Sequence, residues 1–142
     1  MLDILNENNI LLNENFSSKE EAIIASGQVL VDNGYVYKEY IDSMLERDKK
    51  LSVYLGNNVA IPHGLYDSEP YIIKSGVSII QVPNGVKFID EIAYIIIGIA
   101  GKNNTHIDIL SKIATIISEE ENVNKIRKFK NKKDILDIFI NN

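Results

Sequence analysis

The chain contains no cysteine, and that single absence excludes a disulfide framework, a thiolate zinc site and a cysteine nucleophile. Long apolar runs are missing too. The longest, such as Ala93 to Ala100, fall far short of the roughly 20 residues a membrane-spanning helix needs. The N-terminus, Met1-Leu2-Asp3-Ile4, lacks the basic start of a signal peptide, so a cytoplasmic protein with no direct membrane insertion is expected. Nor is there an excess of positive charge: the net charge is -5 and the isoelectric point is near 5.0. This argues against nucleic acid as a partner, because phosphate backbones demand a basic stripe that releases counterions. Lysine and arginine do cluster at Lys125, Arg127, Lys128, Lys130, Lys132 and Lys133, but acidic and apolar residues follow at once, and the cluster reads as a solvated helix face. There is no GxxxxGK(S/T) loop, no GxSxG elbow, no HExxH and no close histidine pair. Nucleotide hydrolysis, serine hydrolysis and a histidine-centred metal site therefore lose their usual warrant.

What is present is ordinary globular composition, 45% hydrophobic and 25% charged over 142 residues. Such a chain can bury about two-thirds of its unfolded surface, and residues 1–142 read as one domain without repeats or low-complexity linkers. Ile10-Leu11-Leu12 suits an edge strand. Ser18 and Glu21 have capping-box spacing for a helix whose apolar residues are Ala22, Ile23, Ala25, Val29 and Leu30, closed by Gly34. A second helix is predicted over Lys38 to Lys49, with Ile41, Met44 and Leu45 as its apolar stripe and Arg47, Lys49 and Lys50 at its negative end.

Strands follow at Val53-Tyr54-Leu55 and Val59-Ala60-Ile61, joined by a turn at Gly56-Asn57-Asn58 and stopped by Pro62. Gly76 to Val82 is a further strand, Pro83-Asn84-Gly85 a predicted hairpin turn and Val86-Lys87-Phe88 its returning arm. Ala93 to Ala100 shows no alternation, as a central strand covered on both faces should. The loop Gly101-Lys102-Asn103-Asn104 then leads to a helix capped by Thr105, with Ile107, Leu110, Ala114 and Ile117 on one face. A helix from Asn122 through Phe129, and a short helix or strand over Ile135 to Ile140, complete the chain. The pattern specifies an α/β sandwich, a mixed central sheet flanked by helices on both faces.

The only two histidines, His63 and His106, both fall just beyond a predicted strand end, where α/β folds place ligands. His63 stands between Pro62, which fixes φ, and Gly64, whose missing Cβ clears space for a bulky group or an approaching surface. His106 lies in the first turn of a helix, near unpaired amides that favour an anion. By residue type alone each has a plain reading as well: a surface turn residue for His63, a polar helix start for His106, and a solvated charge at a helix end for Arg47.

Tyr54-Leu55-Gly56-Asn57-Asn58-Val59-Ala60-Ile61-Pro62-His63-Gly64 resembles the active-site segment of enzyme IIA of the bacterial sugar phosphotransferase system, in its mannitol and fructose branch. The Gln81-x-Pro83-x-Gly85-Val86-x-Phe88 and Asn103-Asn104-x-His106-Ile107 stretches are similar to the mannitol type in particular. The resemblance implies that His63 is the phosphorylated residue, that His106 supports it across the pocket, and that Arg47 meets the phosphoryl oxygens. It implies phospho-HPr as donor, a cysteine on the IIB domain of a membrane-bound IIBC permease as acceptor, and no cofactor. A neutral imidazole is a free nucleophile near neutral pH, and phosphoryl transfer asks mainly for positioning and charge stabilisation. Lacking cysteine, this chain cannot itself supply the phosphocysteine step. One departure stands out: mannitol-type relatives often carry an acid where this chain has Asn57, leaving Asn57 to hydrogen-bond within its loop. The alternatives are a regulatory IIA-like phosphoprotein of fructose or nitrogen type that controls a transcription factor or kinase, and a non-catalytic binding domain.

Overall fold

The computed structural model describes residues 3–103 and 105–141. Its sheet has the strand order β1-β4-β5-β3-β2, built from β1 (Ile10–Leu11), β2 (Tyr54–Gly56), β3 (Val59–Ala60), β4 (Gly76–Phe88) and β5 (Glu91–Ala100). The pairs β1/β4 and β3/β5 are parallel, whereas β4/β5 and β2/β3 are antiparallel, so the sheet is mixed as expected. The apolar strand β5 is central. From Ile95 its side chains alternate between two cores: Ile95, Ile97 and Ile99 enter one, Ile96 and Ala100 the other.

Helices α1 (Lys19–Asp32) and α2 (Glu39–Lys50) cover one face, contributing Ala22, Ile23, Leu30, Tyr40 and Met44 to its core. Helices α3 (His106–Ile117), α4 (Glu120–Lys128) and α5 (Lys132–Ile140) cover the other through Ile109, Ile113, Ile126, Ile135 and Phe139. No helix among the described residues is long and apolar enough to cross a membrane.

The local signals hold with small displacements. Ser18 Oγ accepts from Glu21 N at 3.2 Å, but Glu21 Oε1 accepts from Ser17 N, one residue before the expected partner. Gly34 takes φ +81 beyond the end of α1, and Gly34 N and Tyr35 N donate to Val31 O and Leu30 O, which closes the helix with paired carbonyls. The α4 helix starts at Glu120 rather than Asn122, and the terminal segment is a helix. The basic cluster is less passive than a solvated face: the Arg127 guanidinium lies 3.6 Å from the Tyr94 ring centre, and Lys125 pairs with Glu121 at 3.3 Å.

Other expectations fail. Asn84-Gly85 is not the hairpin turn. Strand β4 continues through it, and Val86, Lys87 and Phe88 pair with Ala93, Ile92 and Glu91 as part of the same strand. Gln81 pairs with Ile95 and Val86 with Ala93, so the Pro83-Asn84-Gly85 stretch is bulged out of the ladder. Pro83 has no N–H to give a rung, and Gly85 spends its φ of +76 in the bulge. Val82, Val86 and Phe88 are all buried, which draws the strand onward to reverse at Ile89, φ +61. The turn with two residues in the left-handed region is Asn57-Asn58, φ +50 and +65, between β2 and β3. The second failure is partial and concerns α3, whose buried face consists of Ile109, Ile113, Ile116 and Ile117: the expected Ile117 is in it and Leu110 packs against it, while Ile107 is exposed and Ala114 faces solvent. Ile107 and Ala114 suit the helical period as well as the true face does, so periodicity alone does not separate them.

Asn57 does not bond within its loop: its side-chain amide donates to Ile117 O at 2.9 Å and Ser118 O at 3.3 Å, closing the C-terminal end of α3. A carboxylate there could not donate and would face the negative end of the helix. Asn57→Asp is expected to lower unfolding free energy by about 1–2 kcal/mol in chemical denaturation. A midpoint equal to the parent's would show that this amide does not hold α3.

Candidate functional site

Because β3 and β5 run parallel, both deliver their following loops to the same edge of the sheet. Beyond β3 the pairing extends a little further, with Ile99 N donating to Pro62 O at 2.9 Å and His63 standing opposite Ile99. After β5, Gly101 lets the backbone fold tightly into α3: a Cβ on it would lie 2.3 Å from His106 Cβ. Thr105 precedes α3 as expected, yet its hydroxyl does not cap the helix; it donates to Lys102 O and meets Ser75 Oγ at 2.6 Å. Lys102 N bonds Ser75 Oγ, and Lys102 Nζ donates to Ile72 O, so the loop is tied back to the chain before β4. Asn104, part of the loop and of the motif read from sequence, lies outside the described residues.

His63, His106 and Arg47 all line one cavity of about 460 Å³, together with Tyr40, Ser68, Glu69 and Leu110. The His63 ring is positioned by its own strand end: Nδ1 lies 2.7 Å from Ile61 O. A carbonyl can only accept, so Nδ1 carries the proton and the neutral ring keeps its lone pair on Nε2. Burial pushes the His63 imidazole below its ordinary value, the Ile61 hydrogen bond opposes that, and electrostatic repulsion from the nearby Arg47 and His106 side chains pushes it further down. The ring is therefore a neutral nucleophile at neutral pH. Arg47 sits in the last turn of α2, where one guanidinium nitrogen donates to Leu51 O at 2.6 Å and the rest of its donor fork is left to the cavity. The neighbouring Asp48, buried, pairs with Lys19 at 2.8 Å and accepts from Val53 N, which anchors that turn.

Several residues of the cavity and behind it escaped the sequence reading. Tyr40, almost wholly buried, accepts from Gly64 N at 2.8 Å and donates to Ile99 O at 2.6 Å. Burial pushes its phenol up to about 12, so it remains a neutral donor at any ordinary pH. Ser43 Oγ accepts from Leu65 N at 2.8 Å, and Glu69 accepts from Asn103 N. The available signal was the spacing of Tyr40, Ser43 and Arg47, which puts three polar groups on one helical stripe. Among the described residues no group of three or more His, Asp or Glu is placed to hold a metal ion.

The space left by Gly64 is filled from within the chain, since a Cβ there would lie 2.6 Å from both Tyr40 Cε1 and Ser68 Oγ. Tyr40 is pinned at both ends of its hydroxyl bridge and cannot yield cheaply. Gly64→Ala should cost about 1–3 kcal/mol of stability by overpacking, read from the urea midpoint. An unchanged midpoint would mean that the Tyr40 ring moves freely.

Residues 3–142 match the family described as phosphoenolpyruvate-dependent sugar phosphotransferase system, EIIA 2. The chain is 48% identical over 139 residues to the mannitol-specific phosphotransferase enzyme IIA component of Bacillus subtilis (strain 168), covering 97% of each chain. It is 50% identical over 138 residues to the component of the same name from Geobacillus stearothermophilus, covering 96% of this chain and 95% of that one. It superposes with a TM-score of 0.92 and 34% identity on a chain of the solved complex of enzyme IIAMTL and phosphorylated enzyme IIBMTL from Escherichia coli, covering 97% of this chain and 98% of that one. With its fold and essentially its whole length in agreement, the chain belongs to the EIIA 2 family of the sugar phosphotransferase system and is a phosphotransferase.

Proposed function

We propose that His63 carries the phosphoryl group in a mannitol relay, taking it from phospho-HPr and passing it to a cysteine on the IIB domain of a membrane-bound IIBC permease. The observation that carries this reading is the Nδ1 contact with Ile61 O, which leaves Nε2 as the nucleophilic atom of a half-buried, neutral ring. Nε2 attacks phosphorus, the bond from phosphorus to the donor imidazole breaks, and the donor nitrogen keeps the electron pair. In the second half-reaction the thiolate of the acceptor attacks, the bond between Nε2 and phosphorus breaks, and the pair returns to Nε2. The proton held on Nδ1 by Ile61 makes the departing group a neutral imidazole, a better leaving group than an anion.

Arg47 supplies a planar cation for the phosphoryl oxygens, and His106, at the N-terminus of α3, supplies a second imidazole donor without bearing the phosphoryl itself. Residues 1–142 act as one cytoplasmic IIA unit in this reading. The mannitol names of both full-length relatives favour a transport relay over a regulatory phosphoprotein.

Mixed with phospho-HPr, the protein should gain one phosphoryl group by intact mass, labile in acid and stable in base. His63→Ala should gain none, and a fully phosphorylated His63→Ala protein would overturn the assignment. Arg47→Lys keeps charge but loses the fork, so transfer should slow with little change in folding. His106→Ala should still be phosphorylated on His63, with transfer slowed roughly a hundredfold, the effect of removing one preorganised donor worth about 2.7–4 kcal/mol. Wild-type rates in either variant would remove that residue from the mechanism.

The lowered basicity of His63 makes a further prediction, because a protonated ring has no lone pair to attack with. Acceptance should hold steady as pH falls past the ordinary imidazole value of about 6.5 and decline only below it. NMR titration of the His63 ring checks this directly, and a midpoint at or above the ordinary value would contradict it.

A further inference from the structure

Two hydroxyl groups of α2 grip the backbone that follows His63. Tyr40, Ser43 and Arg47 share one face of the helix; the first two bond Gly64 N and Leu65 N at 2.8 Å each, and the third lines the cavity. Both gripping side chains are buried, Tyr40 at 2% exposure and Ser43 at 8%.

The place Tyr40 occupies in the sheet is unusual. A parallel pair such as His63 and Ile99 is joined by two rungs, one into the carbonyl before His63 and one from the amide after it. The first is present, from Ile99 N to Pro62 O at 2.9 Å. The second would run from Gly64 N to Ile99 O, and the phenol oxygen stands in it: Gly64 N donates to Tyr40 at 2.8 Å, and Tyr40 donates to Ile99 O at 2.6 Å. Two bonds in series hold amide and carbonyl roughly 4–5 Å apart instead of the about 3 Å of a direct rung. The ladder is wedged open one residue past the nucleophile, at the mouth of the cavity.

We propose that Tyr40 and Ser43 are positioning residues for phosphoryl transfer. Together they splay the His63–Leu65 segment away from β5 and fasten it to the helix that carries Arg47, so that one element sets the spacing of nucleophile and cation. Neither hydroxyl touches the phosphoryl group. When the phenol oxygen is removed, Gly64 N and Ile99 O can close the missing rung directly, which draws His63 toward β5 and out of register with Arg47 and His106. The backbone groups stay paired, so the fold survives while the geometry changes. A displacement of about 1 Å at a reacting atom can cost on the order of a hundredfold in rate.

This inference rests on His63 being the phosphoryl carrier. The test compares the parent chain, Tyr40→Phe, Ser43→Ala and a core control, Ile126→Val, which removes a buried methyl on α4 outside the cavity lining. Three quantities are read for each: the rate of phosphoryl uptake from phospho-HPr, the NMR titration of the His63 ring, and the melting temperature. Tyr40→Phe should slow uptake by about ten- to a hundredfold and move the His63 midpoint by about half a pH unit or more, since its distance from Arg47 and His106 changes. Ser43→Ala should do the same to a smaller degree, and it carries the test should Tyr40→Phe not fold. Ile126→Val should keep the parent rate and midpoint. Parent rates and a parent His63 titration in the folded variants would overturn the proposal, as would an equal slowing in the Ile126→Val control. A parent protein that accepts no phosphoryl group would instead overturn the function, and the shifted His63 titration of Tyr40→Phe would still report the positioning.

Discussion

The structure hangs on the carboxyl end of β5. A strand buried on both faces has no water for its polar groups, so every amide and carbonyl along Ala93–Ala100 needs a protein partner. Along most of its length β4 and β3 provide them. At Ile99 strand β3 has run out, and on that side the Ile99 amide donates to Pro62 O while its carbonyl accepts from the Tyr40 hydroxyl. The requirement to satisfy Ile99 thus ties the His63 loop and helix α2 to the same point. Two residues beyond, Gly101 turns the chain into α3 and brings in His106. The cavity is the gap that remains between these three attachments.

Its chemistry follows from modest means. Burial, helped by the neighbouring Arg47 and His106, keeps His63 neutral, and a single backbone carbonyl chooses which ring nitrogen is free. A phosphoryl group passing between two nitrogens or to a sulfur needs no nucleotide site, because the reacting bond arrives on the donor protein. What the chain must supply is an open approach, a cation and fixed geometry. Asn57 leaves these untouched, since it serves the far end of α3 from His106.

Much of this could be read from residues alone. The apolar run Ala93–Ala100 announced a doubly covered strand because no alternation can occur when both faces are dry. Ser18 and Gly34 bounded the first helix because a side-chain cap and a left-handed glycine act within a few residues of the chain. Both histidines were traceable to the same sheet edge from strand ends and a helix start, and Arg47 joined them only through the family resemblance. These are short-range properties: periodicity, caps and backbone preference belong to the segment that carries them.

The remainder depended on partners distant in the chain. Asn84-Gly85 carries a stronger local hairpin signal than Asn57-Asn58, yet the turn formed at the latter and a bulge at the former, because the burial of Val82, Val86 and Phe88 and pairing with β5 outweigh a turn preference. The buried face of α3 was decided by where β5 and α5 lie against it, since several stripes of that helix are apolar enough to bury. Tyr40 and Ser43 became part of the site through contacts 24 and 22 residues away. By itself, then, the sequence determined the elements, the mixed α/β architecture and the reactive residue types. Tertiary structure decided the registry and which side chain meets which buried amide, because a hydrogen bond between remote residues is specified by the packed geometry of the whole fold and by no single segment.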